Sequence, residues 1–267
     1  MTDPDQPTRW PSRLRLIACQ FRYHFGLMAR TPRAIFAGVL LPAIILAMHG
    51  SDAAGRAGQG PDMVAGLAVL GAVSASYVTH ATSLVLARES GVLRRWRMSP
   101  MPSSCFFAGK TLATLVLAAG CALVTVLVAA LMGISSSPGH VAIMIGPILV
   151  GVLCWATVAT AVSSLIPAGG AAYPLLTLSY LPVVLLSGAV GQPAGQSAWL
   201  RTVTNLLPVR PVLVACAGVL RSGHLYVSLQ GAAVLTCWTI AAALAAGRLF
   251  QWTPRRPRAR TVHPQHA

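Results

Sequence analysis

The chain has 267 residues, of which 9% are charged and 55% hydrophobic, with a mean hydropathy of +0.67. A soluble protein carries roughly 25% charged residues, so these values exclude an ordinary soluble domain. The net charge of +15 rests on twenty basic and five acidic residues, and no Asp or Glu follows Glu89. That leaves no carboxylate pair for most hydrolases, hard-metal sites or a self-contained nucleotidase. The basic residues lie between and beyond the apolar stretches instead of forming one compact face, so they read as topology signals and not as a nucleic-acid surface.

The first segment opens with Asp3, Pro4 and Asp5 and lacks a short apolar core followed by a small-residue cleavage site, so the first span is expected to be retained. Next, Leu14, Ile17, Phe21, Phe25 and Met28 recur at the spacing of an apolar helical stripe, with Arg15, Arg22 and Arg30 pointing away. A basic amphipathic helix ahead of a span suits the cytoplasmic membrane interface, where the arginines meet anionic headgroups.

A helix crosses the hydrocarbon with about 20 apolar residues. Six stretches qualify: 34–49, 63–87, 111–133, 141–166, 170–190 and 226–247. Residues 111 to 200 hold no Asp, Glu, Lys or Arg. Breaks are expected at residues 135–139 and 167–170, where Pro and Gly interrupt helices. The stretch 192–225 carries Arg201, Arg210, Arg221 and three prolines, so it predicts short helices lying on or dipping into one membrane face. Sixteen basic residues fall before span 1, between spans 2 and 3, and after span 6, against four on the opposite side. The positive-inside rule then places both termini in the cytoplasm of a multi-pass cell-membrane protein, which requires an even number of spans.

The fold class expected is therefore an all-α integral membrane protein of six transmembrane helices. It forms one transmembrane domain over 1–267, with a cytoplasmic and interfacial part at 1–33, a bundle at 34–250 and a basic tail at 251–267. The six cysteines show no paired spacing and are expected as free thiols.

After span 2 comes Arg88-Glu89-Ser90-Gly91-Val92-Leu93-Arg94-Arg95-Trp96-Arg97-Met98-Ser99-Pro100-Met101-Pro102. Glu89 is the one acid outside the N-terminal region and first outward loop, and it can pair with arginines or bind a partner's basic groove. Val92, Leu93 and Trp96 supply an apolar side for docking. The plainer reading is an ordinary positive-inside loop. Gly109-Lys110-Thr111 has the tail of a phosphate-binding loop, but Ser104 stands where the first glycine belongs and no strand precedes it.

The order Glu89-x-Gly91, a basic run, then Ser99-Pro100-x-Pro102 between two spans resembles the coupling region of type 2 ATP-binding cassette (ABC) export permeases, the class of daunorubicin-resistance and polysaccharide exporters. Thr31-Pro32-Arg33 entering a span with Pro42, Leu186-Ser187-Gly188 closing span 5, Trp199-Leu200, Leu206-Leu207-Pro208 and the Arg-rich tail are similar to that family in the same order. The resemblance implies an ATPase-coupling loop at Glu89, Gly91, Arg94, Arg95, Arg97 and Pro100, and an external gate at Ser187, Gly188 and Pro208. It also implies a dimer of permease chains, identical or different, and a cytoplasmic ABC ATPase subunit that binds ATP and magnesium, so no cofactor is expected in this chain. Lipid is the remaining partner; nucleic acid is not one.

Within the spans, Tyr77, His80, Tyr173 and Tyr180 are candidates for a substrate path, although buried hydroxyls commonly bond their own helix or a neighbour. The expected function is export of a hydrophobic or amphiphilic compound, a drug, antibiotic or lipid, without an enzymatic site of its own. The rival is a secondary multidrug transporter or channel independent of an ATPase. Proton-coupled pumps commonly relay through buried carboxylates, and none lies inside the predicted spans.

Overall fold

A computed structural model describes residues 12–32, 36–54, 59–134, 136–166, 172–187 and 198–250. Every regular element among them is helical. Helix α1 covers Arg13–Ala29, with the Ser12 side chain accepting from the Arg15 amide at its start. It packs along α6 (Ser103–Leu131) through Gln20, His24 and Met28, while Leu14 stays exposed. The packed face is thus partly polar, shifted from the all-apolar stripe.

The contact with α6 is close because Gly109 lies beneath α1. A Cβ there would overlap the Gln20 Cβ and sit 2.9 Å from the Ile17 carbonyl oxygen. The first apolar stretch is a π-helical turn at Phe36–Leu40 followed by α2 (Leu41–Ala54). Stretch two is one long helical run, Gln59–Glu89, made of α3 (Gln59–Ser74), a π turn at Ala75–Thr79 and α4 (His80–Glu89). It is the most buried span and forms the axis of the bundle. A short α5 (Val92–Met98) follows, then α6, and α7 (Pro138–Ser163), whose Pro138 occupies the first helical turn, where a missing N–H costs nothing. The break between α6 and α7 therefore ends at Ser137, and Pro138 and Gly139 belong to the helix.

Helix α8 spans Ala172–Ser187. Helices α9 (Ala198–Asn205) and α10 (Val209–Ser222) meet at 88°, and α11 (Leu229–Leu249) closes the described chain. Among the described residues four helical runs are long and apolar enough to cross a membrane, or five if the bent pair counts as one. Helix α10 is more than a surface segment: Val209, Val212, Cys216 and Val219 are buried in the main core between α3 and α7. Gly151 makes this possible, since a Cβ there would press on the Val212 methyls.

Two sets of contacts fix which ends share a face. Asp62 at the start of α3 forms a two-pronged ion pair with Arg221 at the end of α10, and Gly223 lies against His140 at the start of α7. At the opposite end, Phe250 stacks edge-on to Phe107 in the first turns of α6, and His24 to Phe106, so both ends of the described chain meet the bundle on the same side as α5. All six cysteines are free, four of them buried.

Candidate functional site

The turn after the second span is built from local rules. The Ser90 amide and hydroxyl both donate to the Leu86 carbonyl, at 2.9 and 2.8 Å, ending α4. Gly91 then adopts φ 71°, the left-handed region that glycine enters without a Cβ penalty, and α5 starts at the next residue. Leu93, 1% exposed, enters a small cluster with Leu84 and Phe106, and the Trp96 ring packs against Phe106 and edge-on to Tyr23 of α1. Arg94, Arg95, Arg97, Met98 and Pro100 are exposed.

The apolar side of this helix therefore docks on its own bundle, which corrects the expectation that Leu93 and Trp96 face a partner. Glu89, half-buried, lines a cavity together with Ser90 and Val92. Glu89 ends α4 and Gly91 links it to α5.

Two basic residues of the predicted loop lie inside the protein. The Arg88 guanidinium donates to the Ser163 carbonyl at 3.1 Å and to the Ile166 carbonyl, satisfying acceptors left open where α7 ends. Lys110 stands two turns into α6, 1% exposed, with its ammonium donating to the Ser83 hydroxyl. Neither role is visible as spacing, because each partner comes from another helix. Gly109, Lys110 and Thr111 are all helical, so they form no phosphate-binding loop.

The candidate path residues divide into two groups. His80 joins three spans: Nδ1 lies 2.8 Å from Thr114 Oγ1 of α6 and Nε2 3.1 Å from Thr160 Oγ1 of α7. Both ring nitrogens of this fully buried side chain have partners, so its geometry is that of an interhelical tie. Tyr77 and Tyr180 come together, with ring centroids 5.9 Å apart. The Tyr77 hydroxyl bonds Ser179 at 2.9 Å, and the Tyr180 hydroxyl bonds Ser74 at 3.0 Å. These bonds cross-link α8 to the last residue of α3 and to the π turn that follows it, where the extra residue per turn breaks the regular ladder. Tyr173, at the start of α8, lines the same cavity as Glu89.

A comparison with family models adds the decisive observation: residues 15–220 match the model described as ABC-2 type transporter. The chain belongs to the ABC-2 type transporter family. No curated protein matches it. The chain is accordingly a multi-pass membrane protein and the permease part of an ABC transporter.

In this permease the expected gate residues are only partly described. Ser187 is the last residue of α8, and Gly188 lies outside the described residues. Pro208 is buried at the start of α10, at the corner of the bent pair. Proline suits that corner because its fixed φ and missing N–H allow a helix to begin there without an unmet donor. The residues that sequence reasoning missed are Arg88, Lys110, Thr114 and Thr160, all at helix–helix contacts. The one available signal was the placement of Lys110 so close to an uncharged run.

Proposed function

We propose that this permease is the membrane half of an exporter of the daunorubicin-resistance and polysaccharide-export class. It moves a hydrophobic or amphiphilic compound outward with ATP hydrolysed by a separate cytoplasmic ATPase, and two permease chains, identical or different, enclose the path. Six crossings are assigned to α2, the Gln59–Glu89 run, α6, α7, α8 and α11, with α9 and α10 dipping in from the outer face. Helix α1 lies along the cytoplasmic leaflet of the cell membrane, and both termini are cytoplasmic. The ion pair of Asp62 with Arg221 and the contact of Phe250 with Phe107 support this sidedness, since each joins segments assigned to one face.

The observation that carries the reading is the exposed row of Arg94, Arg95 and Arg97 on a helix that is itself bolted to the bundle by Leu93 and Trp96. A push on that helix passes to the second span through the Glu89–Gly91 turn, and to α7 through the Arg88 contacts with its last turn. Such a linkage can convert movement of a docked ATPase into relative motion of spans. The pair Tyr77 and Tyr180, together with Tyr173, line the substrate path in this reading, while His80 holds the spans together. Ser187, Gly188 and Pro208 form part of the outer gate.

The test is Glu89→Ala. Loss of a buried charge-assisted contact at the ATPase interface costs roughly 2 to 5 kcal/mol. Membrane insertion should be normal, since Glu89 lies at a span end, while co-purification of the ATPase or substrate-stimulated ATP hydrolysis should fall at least tenfold, about 1.4 kcal/mol. Export at the wild-type rate would overturn the coupling assignment.

A further inference from the structure

A half-open cavity of about 610 Å³ lies between α1, the last turns of the second span and the start of α8. Its wall combines apolar side chains, Leu27, Met28 and Leu86, with the hydroxyls of Tyr23, Thr82 and Ser83. That mixture matches an amphiphile better than water or a purely apolar chain. The Thr82 hydroxyl is buried without a hydrogen-bond partner among the described residues. Directly behind Ser83 stands Lys110, whose buried ammonium is paired with no described carboxylate. Taking an ammonium out of water is expensive unless a counter-charge accompanies it.

Ser83 gives its own proton to the His80 carbonyl, 2.7 Å away, and accepts from Lys110, so it holds the amine at the cavity wall. Glu89, which also lines the cavity, lies six residues further along the helix, about 9 Å from Ser83, and its carboxylate disfavours a head with more than one negative charge.

We propose that this cavity binds an anionic lipid whose single-charge phosphodiester accepts from the Thr82 hydroxyl, with Lys110 behind Ser83 as counter-charge and a hydroxylated head toward Glu89. The acyl chains leave along Leu27, Met28 and Leu86. The proposal rests on the chain being a bilayer-spanning permease, and needs neither the ATPase nor transport.

The experiment is native mass spectrometry of the purified chain in detergent, without ATPase, offered phosphatidylglycerol or diacylglycerol of identical acyl chains. Phosphatidylglycerol should be retained about tenfold more, the equivalent of one charge-assisted hydrogen bond. Lys110→Met should bring the two lipids to parity. Thr82→Phe, which fills the cavity and leaves the amine in place, should do the same and decides the matter if the lysine variant fails to fold. Arg248→Gln, an exposed charge on α11, should keep the preference. Equal retention by the wild type, a preference that survives both cavity variants, or its loss in Arg248→Gln would each overturn the site. Because no nucleotide or cargo enters the assay, failure here leaves the coupling reading intact, and failure of Glu89→Ala to uncouple leaves the lipid site intact.

Discussion

Substituting Gly91 isolates backbone geometry from every other variable in the turn after the second span. Its φ of 71° costs an L-residue roughly 1 to 2 kcal/mol, and nothing lies within 4 Å of the position a Cβ would take. The whole penalty is therefore conformational, with no steric part. Opposing it, burial of Leu93 contributes about 1.5 to 3 kcal/mol and the ring contacts of Trp96 about 0.5 to 1.5 kcal/mol. Docking of α5 should therefore survive Gly91→Ala, but with its undocked population raised roughly 5- to 30-fold. Gly91→Val should be worse, because a β-branched residue resists this region most, whereas Gly91→Asn should stay near wild type, because Asn tolerates it. The rate of tryptic cleavage at Arg94, Arg95 and Arg97 reads the undocked state directly, and substrate-stimulated ATP hydrolysis with the partner subunit reads its consequence. Equal behaviour of Val and Asn would refute the argument, since the two differ in backbone tolerance while the Cβ they share meets nothing within 4 Å.

Gly109→Leu should detach α1, because even its Cβ would overlap Gln20 and crowd the Ile17 carbonyl; hydrogen exchange over Arg13–Ala29 should accelerate, while Gly120→Leu, where nothing lies within 4 Å, should leave it unchanged. His24 is pushed down from 6.5 to about 3, by burial foremost and by nearby Lys110 next. Between those values the undocked helix binds more protons than the docked one, so docking should be strongest above pH 6.5 and weaken as pH falls toward 3. Exchange protection of α1 followed across that range should show the slope, and His24→Phe should flatten it.

Four of the six expected runs, the second, third, fourth and sixth, were legible as helices long enough to cross, because a bilayer demands about 20 uncharged residues per crossing and that demand is written in composition. The left-handed turn was legible only as a glycine in the loop after the second span; the short helix that follows it, Val92–Met98, was not. Helix–helix contacts were not. Leu93 and Trp96 declare an apolar side, but only the fold says that the side faces Phe106 and Tyr23 instead of a partner. The partners of His80, Thr114 and Thr160, lie 34 and 80 positions away in the chain, so no local spacing points to them. The π turn at Ala75–Thr79 is unmarked by any Pro or Gly, and it coincides with the tyrosine–serine bonds to α8. Tertiary pairing of this kind has no one-dimensional signature.

The same distinction bears on the charge count behind the membrane orientation. Arg88 and Lys110 entered that count as loop charges, yet both are buried, one holding the last carbonyls of α7 and the other behind Ser83. A residue consumed by an interhelical contact reports on packing, not on the cost of translocating a loop. Removing the two leaves fourteen basic residues on the assigned cytoplasmic side against four outside. One of those four, Arg221, is paired with Asp62, which lowers the cost of carrying it across. The bias therefore survives the correction, and it now rests on exposed arginines such as Arg94, Arg95 and Arg97, the same side chains that face an ATPase in the proposed complex. Sidedness and coupling draw on one set of charges, so neutralising all three together should weaken ATPase binding before it inverts the chain, because the six arginines ahead of the first span remain to hold the orientation.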